Sequence, residues 1–351
     1  MSPDRMASNR PQGHPVTRIR DVVNALDELT GGRLSAPTGP DNPWQVTKSS
    51  GLVGKSVLET PGLVLGEPNA PVQRLAVAMT MTEQDIELAR AIGVDVIVAH
   101  HPVADAASSG GVSLVDYLVP YELGVIECHE AFHGLHPGIG YLHGHTPIHH
   151  DGSFGGAHGK VVMVGRPLAG VATLGDVLDR LRTMLSRERD ESVLDGERNA
   201  RGVPAMPDSV NAPGLQILHG SPTTPLGELV IHAFPHTGFT ADDLDELLDR
   251  HPSAGTLILS ISGASQHDDY VRRAASRGLG VMVGSSHATE ILENGLPLAT
   301  ALDRMFPEVD VLLFRSRVVA LPVAAAAEGA LAEYGQLMAD HLLTAMGRRT
   351  A

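Results

Sequence analysis

Apolar positions recur along this chain with two periods, one near 3.6 residues and one of continuous short runs, and their alternation is the first sign of its fold. Over 17–29, Ile19, Val22, Val23, Leu26 and Leu29 share one face of a helix that Gly31-Gly32 ends. Residues 33–71 are rich in Gly and Pro and read as loop. The pattern then becomes regular. Residues 72–79 form an apolar strand, and Thr82 with Asp85 three residues on marks a capped helix that Gly93 closes. Residues 94–99 (VDVIVA) are a second strand, 113–123 a helix bent at Pro120, and 125–128 a third strand. Strands and helices alternating at this spacing imply a parallel sheet with right-handed crossovers.

A Gly- and His-rich stretch over 133–160 leads to a strand at 161–164 and a helix near 174–185. Residues 186–214 are charged and broken by Pro and Gly, so they read as a surface insertion rather than a fold element. The alternation then returns. Strands are expected at 228–234, 256–262, 279–283 and 309–314, with helices from Thr240 to Arg250, over 267–277 and over 289–305. The expected architecture is α/β, with two similar α/β halves of mostly parallel sheets. Its divisions are a disordered tail at 1–15, an N-terminal half at 16–165, and a connecting segment at 166–224 that carries the insertion. A C-terminal half at 225–322 and a helix by propensity within 323–351 complete it.

Composition narrows the function. Lys plus Arg number 26 against 41 Asp plus Glu, a formal net charge of −15 that opposes adhesion to phosphate backbones or anionic lipid. Six Phe, five Tyr and one Trp are too few for a platform on which nucleic-acid bases stack. The single Cys128 excludes a disulfide framework and a zinc finger. No apolar run approaches the roughly 20 residues a bilayer needs, and the first fifteen residues lack the apolar core of a signal peptide. A cytoplasmic protein without membrane or nucleic-acid partners is expected, acting on a small molecule.

Histidine is unevenly placed: ten of the 18 fall between His100 and His158. His143, His145, His149, His150 and His158 read as polar residues of a solvated loop. His100-His101-Pro102 differs, because it stands at the carboxyl end of a buried strand, where open α/β sheets bind ligands. Neighbouring strand residues point to opposite faces, so this pair converges only if the chain turns there. The next strand ends in His129-Glu130-Ala131-Phe132-His133, which makes His129 and His133 metal ligands or residues that steady them. In the second half, 279–283 leads into GSSHATE, where His287 and Glu290 share one face of a helix start. Glu290 there also reads as a partner of the helix dipole. Cys128 reads as a packed residue, and no phosphate loop, dinucleotide fingerprint or GxSxG turn is present. Three strand ends offering His, one with a carboxylate, suit a dinuclear divalent site with N and O ligands, set between the halves.

GVDVIVAHHPV, ECHEAFHG, SGASQHDDYVRRAASRGLGVMVGSSHATE and the closing DVLLF resemble the Nif-three-like dinuclear-metal hexameric family, some members of which are called GTP cyclohydrolase I type 2. The resemblance covers roughly 44–165 and 225–315. It implies a two-half fold, a toroidal homohexamer and two divalent metal ions on His and carboxylate ligands. By position, His100 and His101 match the paired His, and His129 matches a His four residues before an Asp ligand. That Asp position here is His133, which favours zinc or another late transition metal over magnesium. Register on ATE places Ser286 at a ligand position with His287 one later, and the family's late GD-x-x-HH is reduced to Gly263-Ala264-Ser265-Gln266-His267. The expected protein is a metal-dependent hydrolase, cyclohydrolase-like on a nucleotide or related heterocycle. Its metals rest on His100, His101, His133, His287 and Glu290, and His129 or Glu290 moves the proton. The alternative, which the altered motifs support, is a metal-binding ring-shaped scaffold with little catalysis.

Overall fold

The run VIVA becomes a strand buried at all four positions, as a central strand of a parallel sheet must be. The structure is a computed structural model. It describes residues 16–37, 39, 42–45, 47–50, 55–58, 61–101, 118–133, 135–157, 159–185, 187–203, 215–261, 263–286, 290–315 and 320–345. The chain opens with α1 (Ile19–Leu29), an antiparallel pair of β1 (Thr47–Ser50) and β2 (Lys55–Leu58), and β3 (Gly62–Leu65). β4 (Arg74–Ala78), α2 (Glu83–Ala91), β5 (Val96–Ala99), β6 (Gly124–Glu127) and the short α3 (Gly138–Leu142) follow. Next come β7 (His145–Asp151), β8 (Val162–Pro167), α4 (Leu174–Met184), α5 (Arg187–Arg201) and β9 (Gln216–His219). β10 (Leu229–Ala233), α6 (Ala241–Arg250), β11 (Ala254–Ile261), α7 (Asp269–Ser276) and β12 (Gly280–Ser286) continue it. A π-helical turn (Ile291–Gly295), α8 (Leu296–Met305), β13 (Asp310–Leu313), α9 (Val323–Ala326) and α10 (Ala330–Ala345) complete it.

Local chemistry accounts for the helix starts. Thr82, Thr173 and Thr240 each cap a helix by accepting from the amide three residues on, while Asp85, Asp176 and Asp243 return the bond to the capping residue. Gly93 sits at φ 74° and closes α2, a conformation that other residues adopt at a cost. The expected helix over 113–123 falls largely on residues outside the described ones.

The first sheet has the order β13-β4-β5-β6-β3, parallel except for β3 at its edge. α1 and α8 cover one face, where Val22, Leu26, Leu298 and Leu302 meet Leu75, Val77, Val96 and Val98. α2 covers the other through Ile86 and Ala89 against Ala76 and Ile97. Ala78 pairs with Ala99, and Ala99 with Glu127, so three strands end level along one edge.

The second sheet has the order β7-β8-β10-β11-β12-β9. Only β10, β11 and β12 run parallel; β7, β8 and β9 are antiparallel, so the expectation of mostly parallel sheets holds for the first sheet and not for this one. β7 and β8 are joined by ten residues, 152–161, fewer than the dozen or more that a parallel crossover needs. The halves also interlock. β7 and β8 belong to the second sheet although β7 and most of β8 precede residue 166. β13 pairs in register with β4, Asp310 opposite Arg74, although it follows the second sheet. The 186–214 stretch is not merely a surface insertion: α5 buries Leu194 completely and packs it with Val203, Leu321 and Ala325. Its charge hid a helix with one anchoring apolar side. Residues 204–214 lie outside the described ones. Among the described residues no helix is long and apolar enough to cross a membrane. On α10, Leu331, Tyr334 and Leu337 are exposed.

His143 and His145 are not loop residues in solvent. Both are buried, His143 at 0% and His145 at 1% exposure, and they join His232 and Ser260 on the α4 side of the second sheet. His145 Nε2 lies 3.0 Å from His232 Nδ1, and Ser260 Oγ lies 2.8 Å from both His232 Nε2 and His143 Nε2. His149 and His150 lie on β7, and His158 lies outside the described residues. Burial disfavours the charged ring, taking His143 down to about 4 and His145 to about 3, with His232 well below its ordinary value for the same reason.

These depressed values set a pH dependence. Between about 4 and 6.5 the unfolded chain holds a proton at His143 that the folded chain refuses, so stability is full above 6.5 and falls as pH drops through that window. In urea unfolding with chelator present, a His143→Gln variant is expected to lose about 2–3 kcal/mol less than wild type between pH 7 and 4.5. Equal losses would refute the neutral-ring assignment.

Candidate metal centre

The level edge of the first sheet gathers the side chains singled out in the sequence. The His100 amide donates to Ala78 O at 2.9 Å and the His101 amide to Met79 O at 2.7 Å. Consecutive amides of a regular strand face opposite neighbours, so two bonding the same strand mark a bend. That bend brings both imidazoles to one edge, with ring centroids 5.6 Å apart. Pro102 lies outside the described residues. From the end of β6, His129 sits 4.9 Å from the His100 ring and His133 5.0 Å. Glu290 arrives from beyond β12, at the start of the π-helical turn.

Hydrogen bonds set the protonation of these rings. Cys128 O can only accept, so His100 donates to it from Nδ1 at 3.2 Å and its Nε2 keeps a lone pair. That lone pair faces His133 Nε2 at 3.1 Å and Glu290 Oε1 at 3.8 Å. Glu130 Oε2 lies 3.3 Å from His133 Nδ1, which points the proton of His133 away from His100. His101 shares a hydrogen bond of 2.6 Å between Nδ1 and Thr80 Oγ1, and turns Nε2 towards Glu290 Oε2 at 3.3 Å. His100, His129 and His133 form one ligating group and His100, His101 and Glu290 another, each with its atoms within 4.8 Å. Because Nδ1 of His100 is engaged, the same Nε2 serves both, so the five side chains are one cluster. His287 lies outside the described residues. Burial and the neighbouring His133 push His100 well below its ordinary value, against the pull of Glu290, and keep it in the neutral form that ligates metals.

The second half contributes a further carboxyl. Glu293 is pushed up to about 8 by burial, opposed by a 2.5 Å bond from Ser285 Oγ and helped by the charge of Glu290. Near neutral pH it is therefore an acid, three residues from Glu290. The wider π-helical turn allows Glu290 and Asn294 to approach His100, Asn294 Nδ2 at 3.3 Å from Nε2, while Glu293 faces Ser285. π-turns of this kind recur at functional sites.

Several residues that shape the cluster carried no signal in the sequence. Thr80 and Glu130 orient rings, and Arg33 donates through Nη1 to the carbonyls of Ala131 at 3.1 Å and His133 at 2.9 Å. Arg33 also lies over Trp44, 4.1 Å from the ring centroid. Its separation of about a hundred residues from the loop it holds explains why spacing did not reveal it.

A family model described as Duf34/NIF3 (NGG1p interacting factor 3) matches residues 55–107. A search of curated proteins found no match. Among solved structures, reduced HcgD from Methanocaldococcus jannaschii aligns with a TM-score of 0.52 at 12% identity, over 86% of this chain and 99% of that one. The Bacillus cereus protein related to NIF3 gives 0.52 at 13%, over 86% and 98%. A hypothetical protein of Staphylococcus aureus, SA1388, gives 0.51 at 13%, over 86% and 97%. Such low identities speak to the fold alone, and that fold is α/β with two mixed sheets. The chain resembles the NIF3 family in sequence over the matched segment, which contains the HHP read above, and it shares the fold of the aligned structures over most of its length.

Arg33 gives the cluster an optical reporter, because Trp44 is the chain's one tryptophan. Addition of zinc is expected to change Trp44 emission in wild type and not in Arg33→Ala. The same variant should bind zinc about tenfold more weakly, as loss of residues supporting ligands commonly does. Wild-type affinity in Arg33→Ala would remove Arg33 from the site.

Proposed function

We propose that the chain is a metal-dependent hydrolase whose centre is held by His100, His101, His129, His133 and Glu290. The observation that carries this reading is the convergence on His100 Nε2 of a carboxylate oxygen at 3.8 Å and a second imidazole nitrogen at 3.1 Å, beside the Asn294 amide at 3.3 Å. Imidazole nitrogens and a carboxylate oxygen brought within 4.8 Å of one another are a donor set that fits a metal. Four imidazoles against one carboxylate favour zinc or another late transition metal over magnesium. A bound ion of this kind would polarise a substrate atom and make water acidic enough to attack near neutral pH.

The chain's own residues supply the rest. His100, held by Cys128 O, and His101, held by Thr80, present fixed rings. Glu130 Oε1 lies 3.7 Å from His129 Nδ1 and steadies that ring as a ligand. Glu290 Oε2 is the carboxylate atom on the His101 side that takes a proton from attacking water. By resemblance, the substrate is a nucleotide or related heterocycle, opened at a C=N or ester-like centre, and the working assembly is a homohexamer.

Elemental analysis of untagged protein, beside a His100→Ala/His101→Ala double variant, tests the reading. Zinc, iron or manganese bound in wild type and lost in the variant is expected, with turnover of at least one member of a nucleotide and phosphoester panel lost in parallel. Metal without turnover would favour the scaffold alternative. Metal absent from wild type, or retained in the variant, would overturn the proposed centre.

A further inference from the structure

We infer that the buried network of His143, Ser260, His232 and His145 is a positioning device, which aims the end of β12 so that Glu290 and its neighbours reach the candidate metal centre. The inference starts from a break in the sheet. Leu259 pairs with Val283, but the next pair is Ile261 with Ser286, so Ser260 alone faces both Gly284 and Ser285. This is a bulge in a parallel pairing, where bulges are rare, and bulges re-aim chains next to functional sites. Ile261 sits at φ 70°, a left-handed conformation that is unusual for a β-branched residue and persists only where surroundings impose it.

The bulge takes the Ser285 amide out of the ladder, and His143 receives it: Ser285 N–H donates to His143 Nε2 at 2.9 Å. Every proton in the network follows from that bond. With Nε2 accepting, His143 carries its proton on Nδ1 and donates to Ile139 O at 2.7 Å. Ser260 Oγ gives its hydrogen to His143 Nε2 and accepts from His232 Nε2. His232 Nδ1 then accepts from His145 Nε2. The reverse assignment would set Ser260 Oγ and His143 Nε2 against each other as two acceptors at 2.8 Å. At its His143 end the network meets a backbone carbonyl and a backbone amide, and at its other end His145 Nδ1 is buried without a hydrogen-bond partner, so the network holds geometry rather than relaying charge.

Space confirms how closely this contact is built. A Cβ on Gly284 would stand 2.2 Å from His143 Nε2 and 2.8 Å from Ser260 Oγ, so only glycine lets the ring reach the Ser285 amide. A Cβ on Gly165 would stand 2.1 Å from His145 Nδ1. From Ser285 the connection continues through Oγ to Glu293, and from there along the π-helical turn to Asn294 beside His100. His143 thus lies two hydrogen bonds from the turn that Glu290 begins. Its role as a positioning residue rests on the proposed metal centre, whereas its hold on the 284–293 segment does not.

The test uses the full chain with His143→Gln and His143→Leu. Glutamine can place an amide oxygen where Nε2 accepts; leucine has similar bulk and no acceptor. Hydrogen exchange, with chelator present, is expected to speed up about tenfold or more in peptides over 280–295 of His143→Leu, with strands at 96–99 and 229–233 unchanged. Zinc affinity should fall about tenfold or more in His143→Leu, and His143→Gln should recover most of both losses. Wild-type exchange over 280–295 in His143→Leu would overturn the inference, as would leucine and glutamine behaving alike. If wild type binds no zinc, the metal centre fails while the exchange result still decides the hold on 284–293. If His143→Leu does not fold, Ser260→Ala removes the middle link, and unchanged exchange over 280–295 in that variant overturns the inference.

Discussion

The hydrogen bond from the His100 ring to the carbonyl of Cys128 is the constraint on which the candidate centre depends. It spans the ends of β5 and β6, and the amide of Cys128 bonds back to Ala99 O at 3.0 Å, so the same two strand ends are tied in both directions. Those strands end level because they are parallel and in register, which is a property of the whole sheet. The bond leaves Nε2 of His100 as an acceptor inside protein, and the other polar groups of the cluster take their places around it. A histidine here that donated from Nε2 would turn a ligand into a closed hydrogen-bonding residue.

The interlocked chain path gives the cluster its second set of residues. The chain leaves the first sheet after β6, builds the second, and returns through the π-helical turn and α8 to place β13 beside β4. Glu290 and Asn294 lie on that return, where residues ordered by β12 pass above strand ends ordered by the first sheet. Two independently stabilised sheets thus fix the two sides of one site. The buried apolar clusters on both faces of each sheet make the ends rigid, which a set of ligands must be if it is to be formed before its ion arrives.

Much of this was legible from patterning. The strand VIVA, the box at Thr82, the helix start at Thr240 and the paired His100-His101 at a strand end each follow from local rules that the structure keeps. β7, the partner of the expected strand at 161–164, was not legible, because His145 occupies an inward position that a hydrophobic period would give to Val or Leu. Nor was α5, whose single deep anchor, Leu194, is too little for a helical stripe. The sheet to which β13 belongs was out of reach for another reason: an apolar run states that a strand is buried and says nothing about which neighbour buries it. Arg33, Thr80 and Glu130 are ordinary residues in sequence and acquire their roles only from the atoms they meet.

The three buried imidazoles of the second sheet show why a core would keep polar groups that an apolar one could replace. Filling the site with leucines would leave the Ser285 amide without an acceptor, and an orphaned buried donor costs more than a well-made hydrogen bond contributes. The bulge frees this amide and His143 accepts from it, so the break in the ladder and the ring that heals it belong together. Neutral histidine suits the task because it accepts at one nitrogen while donating at the other, without bringing a charge into the core. Charge is reserved for the other end of the segment, where Glu290 faces His100 and His101. The separation of a neutral, hydrogen-bonded network from a cluster of imidazoles and a carboxylate a short distance away is what distinguishes the framework of this site from its candidate chemistry.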